Sequence, residues 1–183
     1  MANATLDEIA QRAGVSKGTI YLYFPNKHEL FRQSIRSALI PSSGETRSPA
    51  TGSPSRQLRD TIDQQWELMT CEPALTATRL LAAEQWQYPD LAELYTAEVV
   101  TRFTDQVAGI LEAGVRAGEF RDIDPLVAAR MLAALAVQSA SWRTSGVGPF
   151  SAQSSEEILR ELTEFYFLAI APLDSAFPQA DGA

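Results

Sequence analysis

Apolar residues recur every three or four positions along most of this chain, which is the period of an α-helix. Near the N-terminus, Leu6, Ile9 and Ala10 keep this spacing directly after Thr5. Glu8 follows Thr5 at the distance of a capping box, in which each side chain accepts a hydrogen bond from the other residue's backbone. The pattern therefore predicts a first helix that begins after Thr5.

Helix-ending residues divide the next stretch into short segments. Gly14 tolerates the left-handed backbone that ends a helix, and Ser16 is a good N-cap for a second helix over 17–23. Pro25 stops that helix. Asn26 and Glu29 form another cap pair, so a third helix is predicted from there to about residue 40. Two short helices joined by a tight turn therefore lead into a longer one.

The segment 41–55, "PSSGETRSPATGSPS", has no apolar anchor and is rich in Pro, Ser, Gly and Thr. This composition predicts a flexible linker or long loop. Helical spacing resumes beyond it, and no stretch alternates in the manner of a strand. The predicted fold is all-α, with an N-terminal domain over 1–40, the linker over 41–55 and a helical domain over 56–183. The predicted later helices cover about 58–69, 74–87, 89–117, 125–144 and 155–171.

Charge is spread unevenly along the chain. Residues 1–40 carry five basic and three acidic side chains, whereas the remainder carries ten basic and twenty acidic ones. Both lysines, Lys17 and Lys27, lie in the first part. A small basic head suits contact with a polyanion, and an acidic body does not.

The composition narrows the class of protein. No apolar run reaches the roughly 18 residues of a membrane span, and no secretory signal is visible. A single cysteine, Cys71, excludes an internal disulfide framework and suits a cytoplasmic protein. His28 is the only histidine; we expect it to be solvated, and we expect no metal site and no cofactor. Without a phosphate loop or a nucleophile motif, an enzyme is the weakest hypothesis.

The first two helices match the helix-turn-helix pattern, whose second helix enters the major groove of DNA. Gly18 and Thr19 keep that helix slim where it faces the bases. Ile20 and Phe24 are spaced to point back into the core. Lys17 and the hydroxyl groups of its neighbours can reach phosphates or base edges. A generic helical hairpin is the alternative on the residues alone.

The stretch "TLDEIAQRAGVSKGTIYLYFPNKHEL" closely resembles the DNA-binding signature of the TetR family of transcriptional regulators. The resemblance covers residues 4–36 and implies DNA contacts by Thr5, Ser16, Lys17, Gly18, Thr19, Tyr21, Tyr23 and Lys27. A weaker match at 82–95 resembles the ligand-binding half of such regulators. "GEFRDIDPLVAARMLAALA" resembles the family's turn into its dimerisation helices.

Members of the family carry another helix ahead of the position of Thr5, whereas this chain starts four residues before it. A late start, a trimmed sequence and a genuine loss of the helix are all open. We expect the 183-residue chain to bind its operator weakly, and a version extended by a first helix to bind tightly.

Aromatic and apolar side chains in the second half are candidate lining for an effector pocket, and plain core packing is the alternative reading. The candidates are Trp66, Met69, Trp86, Tyr95, Phe103 and Trp142. Glu98 and Arg102, four residues apart, are predicted to form a surface ion pair. The apolar faces of the last two long helices predict a homodimer through a four-helix bundle.

The leading hypothesis is a ligand-responsive repressor that leaves its double-stranded operator when a small, mostly apolar effector binds. The alternative is a small-molecule-binding or oligomerisation protein that has lost DNA binding with its first helix. The sequence identifies neither the effector nor the operator.

Overall fold

A computed structural model describes residues 4–39, 51–84, 86–145, 148–150 and 152–172. These residues form α-helices and connecting turns, with no strand among them, so the predicted all-α fold is confirmed. Residues 41–50 of the predicted linker lie outside the described residues.

Most helices follow the predicted segments, but the fourth begins at Pro54, inside the predicted linker over 41–55, because Ser53 caps it and Pro54 suits its first position. In chain order they are α1 Leu6–Arg12, α2 Lys17–Tyr23, α3 Lys27–Leu39, α4 Pro54–Thr70, α5 Glu72–Glu84, α6 Pro89–Tyr95, α7 Thr101–Arg116, α8 Pro125–Ser145 and α9 Ser155–Ile170.

Side-chain caps set most of the helix starts. The capping box predicted for α1 is present: the Thr5 backbone N–H donates to Glu8 Oε2 at 2.7 Å, and the Glu8 N–H donates to Thr5 Oγ1 at 3.3 Å. The Thr5 hydroxyl also donates to Glu8 Oε2 at 3.2 Å, and the two hydrogen bonds that the Thr5 backbone and side chain donate to this carboxylate lower the pKa of Glu8. Asn26 caps α3 as predicted, and Asp124 accepts from two N–H groups at the start of α8.

One predicted helix is interrupted. The stretch predicted as one helix over 89–117 contains a π-helical turn at Thr96–Val100, between α6 and α7. Such a turn adds a residue to the helical repeat. Thr96 is the first residue of this turn, and its hydroxyl donates to the Ala92 carbonyl at 2.9 Å.

The contacts group the described chain into two compact units. The first draws on 1–46 and 72–99, and the second on 47–71 and 100–183. The predicted division of the chain into consecutive domains, with the first ending at residue 40 and the last beginning at residue 56, stays a prediction.

The first unit has two apolar clusters. One holds Leu6, Ala10 and Ile20 between α1 and α2. The other is built from α3, α5 and α6, and its buried members are Phe31, Ile35, Leu81 and Leu91.

The second unit has one larger core, built from α4, α7, α8 and α9. Leu58, Val107 and Leu111 are fully buried in it. Each such side chain contributes about 1.5–3 kcal/mol through removal from water. Tyr166 donates its hydroxyl to the Ala128 carbonyl at 2.9 Å, and burial raises the pKa of Tyr166.

The end of α7 is a close-packed corner. Gly118 has a φ of +74°, and the N–H groups of Glu119 and Phe120 both donate to the Gly114 carbonyl. A Cβ placed on Gly114 would lie 2.1 Å from the Phe120 ring. The corner therefore requires a residue without a side chain at position 114.

Candidate nucleic-acid interface

A tight turn joins α1 to α2. Gly14 adopts a φ of +70°, which favours glycine, and the Val15 N–H donates to the Ala10 carbonyl at 3.0 Å. Ser16 then starts α2 by accepting the Thr19 N–H at 3.0 Å. These bonds fix the turn of the predicted helix-turn-helix.

One side of this helix pair is buried and fixes its orientation. Ile20 is buried against Leu6 and Ala10, and Phe24 packs beside them. The prediction that Ile20 and Phe24 face the core is therefore confirmed. Because Ile20 faces inward, the opposite side of α2 is left to solvent.

Five of the residues predicted to contact DNA lie on α2 and Ser16 caps it, whereas Thr5 and Lys27 lie at the starts of α1 and α3. Seven of the eight are exposed and the eighth, Lys27, is half-buried: the exposed ones are Thr5, Ser16, Lys17, Gly18, Thr19, Tyr21 and Tyr23. A Cβ on Gly18 would have only the Ser16 hydroxyl near it, at 3.8 Å. The backbone of α2 is thus open to close approach by a partner.

Lys17 has a partner that sequence reasoning missed. Its Nζ lies 2.6 Å from Asp7 Oδ2 on α1, and it lies 5.8 Å from the centre of the Tyr21 ring. The hydrogen bond with Asp7 raises the pKa of Lys17, so the ammonium group stays charged. Both side chains are exposed, so a phosphate can compete with Asp7 for this lysine.

The third helix presents Lys27 in its first turn, as predicted. Asn26 Oδ1 accepts the Glu29 N–H at 2.8 Å, and Lys27 Nζ lies 5.1 Å from the centre of the Phe31 ring. This arrangement holds a second cation beside the start of α3.

An apolar side chain also belongs to the exposed surface. Leu22 on α2 is 79% exposed, although leucine is usually buried. Apolar side chains in a major groove contact the methyl group of thymine. Leu22 lies two residues after Ile20 and therefore on the opposite side of the helix. This spacing was the signal in the sequence that Leu22 is exposed.

Two side-chain contacts link α3 to the segment that follows α5. His28 Nε2 lies 2.9 Å from Asp90 Oδ2, and its ring packs against Tyr88 at 5.1 Å. The expectation of a solvated His28 was wrong, because its partner lies 62 residues away in sequence. Arg36 pairs with Glu98 at 3.0 Å.

The contact between Arg36 and Glu98 also corrects a prediction. Glu98 was expected to pair with Arg102 four residues later. Its carboxylate instead contacts Arg36, which only the packing of α3 against α6 brings near.

The effector-site candidates are divided between the two units. Trp66, Met69 and Phe103 belong to the core of the second unit, and Trp66 Nε1 donates to Ser155 Oγ at 2.9 Å. Tyr95 packs against the α3–α5–α6 cluster of the first unit.

The other two candidates lie nearer the surface. Trp86 is 91% exposed, and Trp142 packs beside Phe150. These placements suit core packing for Trp66 and Phe103 as well as they suit effector contact.

A buried carboxylate was missed by sequence reasoning. Glu84 is only 3% exposed, and its Oε1 has no hydrogen-bond partner in the structure. It continues the stripe of Ala77 and Leu81 on α5, so the signal was a charged residue at the helical spacing of apolar ones. An unpaired buried carboxylate is costly to keep, which suggests a role in binding a hydrogen-bond donor.

Within the described ranges, no group of three or more His, Cys, Asp or Glu side chains could hold a metal ion. None of the described helices is long and apolar enough to cross a membrane.

Comparison with known families matches both halves of the chain. A family model described as bacterial regulatory proteins of the tetR family matches residues 1–33. A second, described as the C-terminal domain of AefR-like transcriptional repressors, matches residues 56–169.

Individual proteins agree with the family models. The HTH-type transcriptional repressor KstR2 of Rhodococcus jostii is 30% identical over 78% of this chain and 71% of its own length. The fatty acid metabolism regulator protein of Bacillus subtilis is 26% identical over 69% of this chain and 66% of its own length.

Solved structures share the fold. NalD, the secondary repressor of the MexAB-OprM multidrug efflux pump in Pseudomonas aeruginosa, superposes with a TM-score of 0.72 and 21% identity. The match covers 94% of this chain and 87% of NalD.

Proposed function

The chain belongs to the TetR family of bacterial transcriptional regulators, and from that premise we propose that it is a repressor released from its operator by a small, mostly apolar effector. The observation that carries this proposal is the open side of α2. Gly18 and Thr19 leave its backbone accessible, while the buried Ile20 fixes which side faces outward.

The contacts with DNA divide into two kinds. Lys17 and Lys27 supply charge for phosphates, which positions the protein without reading sequence. Thr19, Tyr21 and Leu22 project from α2 toward the base edges of a major groove. Hydroxyl groups and apolar atoms there read hydrogen-bond patterns and thymine methyl groups.

We expect Lys17 and Asp7 to act in opposite directions on DNA affinity. Lys17→Ala removes a phosphate contact, so the slope of log K against log salt should fall by about one unit. Asp7→Asn frees Lys17 and removes a negative charge, so affinity should rise. Fluorescence anisotropy across a salt series, on a duplex selected from a random library by the chain itself, measures both.

Arg116→Gln is the matched control, because Arg116 is an exposed, ion-paired arginine in the second unit. If Asp7→Asn weakens binding as much as Lys17→Ala, the pair is needed as a unit and the competition model is wrong. If the selection enriches no sequence, the alternative of a protein that binds small molecules or oligomerises without binding DNA is favoured.

A homodimer through α8 and α9 supplies two recognition helices for a palindromic operator. The support is apolar surface left open on both helices of the single chain. Its exposed members are Leu126, Val127, Met131, Leu135, Trp142, Phe165 and Leu168. Faces of this size commonly mark protein interfaces.

The effector is proposed to be apolar. The support is the apolar surface that Trp66, Met69 and Phe103 supply in the second unit. Because one relative is named a fatty acid metabolism regulator, protonated medium-chain fatty acids and their alcohols are suitable first probes. Saturable binding with release of DNA would support this assignment.

We expect Glu84→Gln to raise the free energy of unfolding by about 1–3 kcal/mol, because the substitution removes a buried charge that has no partner. Urea denaturation measures the change. Glu93→Gln on the neighbouring α6 is the control, since Glu93 is exposed and its charge is solvated. A loss of stability in Glu84→Gln larger than in the control would show that the carboxylate is already satisfied.

A further inference from the structure

A cleft of about 260 Å³ lies between α4 and α9. Arg59 and Asp63 line it from α4, and Glu156, Arg160 and Glu164 line it from α9. Five charged side chains of both signs therefore meet at one concave surface.

These charges form no close ion pair with one another in the described part of the chain. Among the described residues, none of the five forms an ion pair within 4 Å, although Arg59 and Asp63 are four residues apart on one helix. The neighbouring Arg56 and Asp60, with the same spacing, do pair at 3.9 Å. The two guanidinium groups and three carboxylates of the cleft keep their hydrogen-bonding capacity for a ligand.

One of the arginines is held in place by an aromatic ring. The Arg59 guanidinium lies 4.6 Å from the centre of the Phe167 ring. Stacking of this kind leaves the edge of the guanidinium, with its N–H groups, free to bind a carboxylate. Partial burial raises the pKa of Asp63, while Arg59 opposes that shift.

The wall of the cleft contains an unsatisfied hydroxyl. Thr163 is 3% exposed, and its Oγ1 has no hydrogen-bond partner. The other buried threonines, Thr61 and Thr104, donate to backbone carbonyls of their own helices at 2.8 and 2.9 Å. Thr163 is the exception, and it lines the same cleft as the five charges.

We propose that this cleft binds a small zwitterion, such as a free amino acid, with Arg59 and Arg160 on its carboxylate, Asp63 and its acidic neighbours on its ammonium group, and Thr163 hydrogen-bonded to it. A simple anion meets three carboxylates there and a simple cation meets two arginines, so a ligand with both charges fits best. The volume equals that of about nine liquid waters, which suits a molecule of amino-acid size.

Titration calorimetry on the full chain tests the site without DNA, so its outcome does not depend on the proposed repressor function. The probes are L-serine, L-glutamine and L-leucine, each with its N-acetyl derivative, which lacks the ammonium charge, and its amide, which lacks the carboxylate. At least one amino acid should bind saturably, and both of its derivatives should bind about tenfold more weakly or worse.

Two substitutions locate the binding. Thr163→Val keeps the shape and removes the unsatisfied hydroxyl, so it should preserve or raise the melting temperature while weakening the ligand several-fold. Arg160→Gln should weaken it about tenfold or more, since it removes a charged hydrogen bond. Arg56→Gln, an arginine of α4 that lies outside the cleft lining, should change nothing.

Three results would overturn the proposal. They are no saturable binding by any amino acid of the panel, equal affinity for the singly charged derivatives, and affinity unchanged by both Thr163→Val and Arg160→Gln. In the last case the ligand binds elsewhere on the chain.

Discussion

Gly114→Ala should lower the free energy of unfolding by about 3 kcal/mol, which is large for the addition of one methyl group. The new Cβ would lie 2.1 Å from one Phe120 ring atom and 2.2 Å from another. Overpacking of a buried site typically costs about 1–3 kcal/mol, and more where neighbours cannot move.

Phe120 is held in place by its backbone as well as its ring. Its N–H donates to the Gly114 carbonyl at 3.3 Å, and its ring makes an edge contact with Phe167 at 6.4 Å. Relief of the clash therefore requires the corner after α7 to open. Chemical denaturation followed by circular dichroism measures the loss.

The same helix offers a matched control. A Cβ on Gly109 would meet nothing within 4 Å, so Gly109→Ala should raise stability by about 0.5–1 kcal/mol through helix propensity. If both substitutions stabilise the protein, the corner is softer than its contacts indicate. The double substitution Gly114→Ala with Phe120→Ala should show strong coupling, because Phe120→Ala removes the ring that the new methyl group would contact.

The second large effect concerns assembly. Phe165→Glu combined with Leu168→Glu should convert the proposed dimer into a monomer, because it places two charges on the apolar face of α9. These side chains are 62% and 64% exposed in the single chain. A dimer interface would bury them, and a buried unpaired charge is strongly unfavourable. Sedimentation velocity at micromolar concentration measures the mass.

Operator affinity should fall when the dimer is lost, since each half-site then binds the recognition helix of a separate monomer. Leu68→Glu on α4 is the control: Leu68 is also exposed, but it lies outside α8 and α9. A wild-type chain that sediments as a monomer would contradict the dimer proposal. If the Leu68→Glu variant also sediments as a monomer, the interface involves α4.

Local signals in the sequence were sufficient for the starts of the first three helices. Thr5, Ser16 and Asn26 act within three residues of their partners, so their caps could be predicted from spacing alone. The buried side of α2 followed from the same reasoning, because the helical period assigned Ile20 to the core.

Long-range partners could not be predicted in this way. His28 meets Asp90, and Arg36 meets Glu98, across 62 residues in each case. Nothing in the local pattern encodes those distances. The π-helical turn was also missed, since one extra residue in a helix barely changes its apolar spacing.

The same distinction between local and long-range signals applies to the candidate sites. The DNA contacts stay a prediction; most of them could be named from the sequence because they lie on one short helix, α2, or cap it. The predicted effector pocket was spread over helices whose packing the sequence does not specify, and Trp86, predicted to line it, lies in solvent in this chain. The carboxylate of Glu84 was visible as a break in an apolar stripe, but its missing partner required coordinates.

The pairing of Lys17 with Asp7 bears on how such a regulator finds its operator within a whole genome. Every stretch of duplex offers the same phosphates, so an uncompensated cation would hold the protein on the wrong sites. With Asp7 already at 2.6 Å, a phosphate gains Lys17 only by exchange of one anion for another. That exchange contributes little binding free energy at random sites, where no base contact accompanies it. At the operator the proposed base contacts of α2 add to that exchange, so we expect the protein to stay there although its affinity for any duplex is lowered.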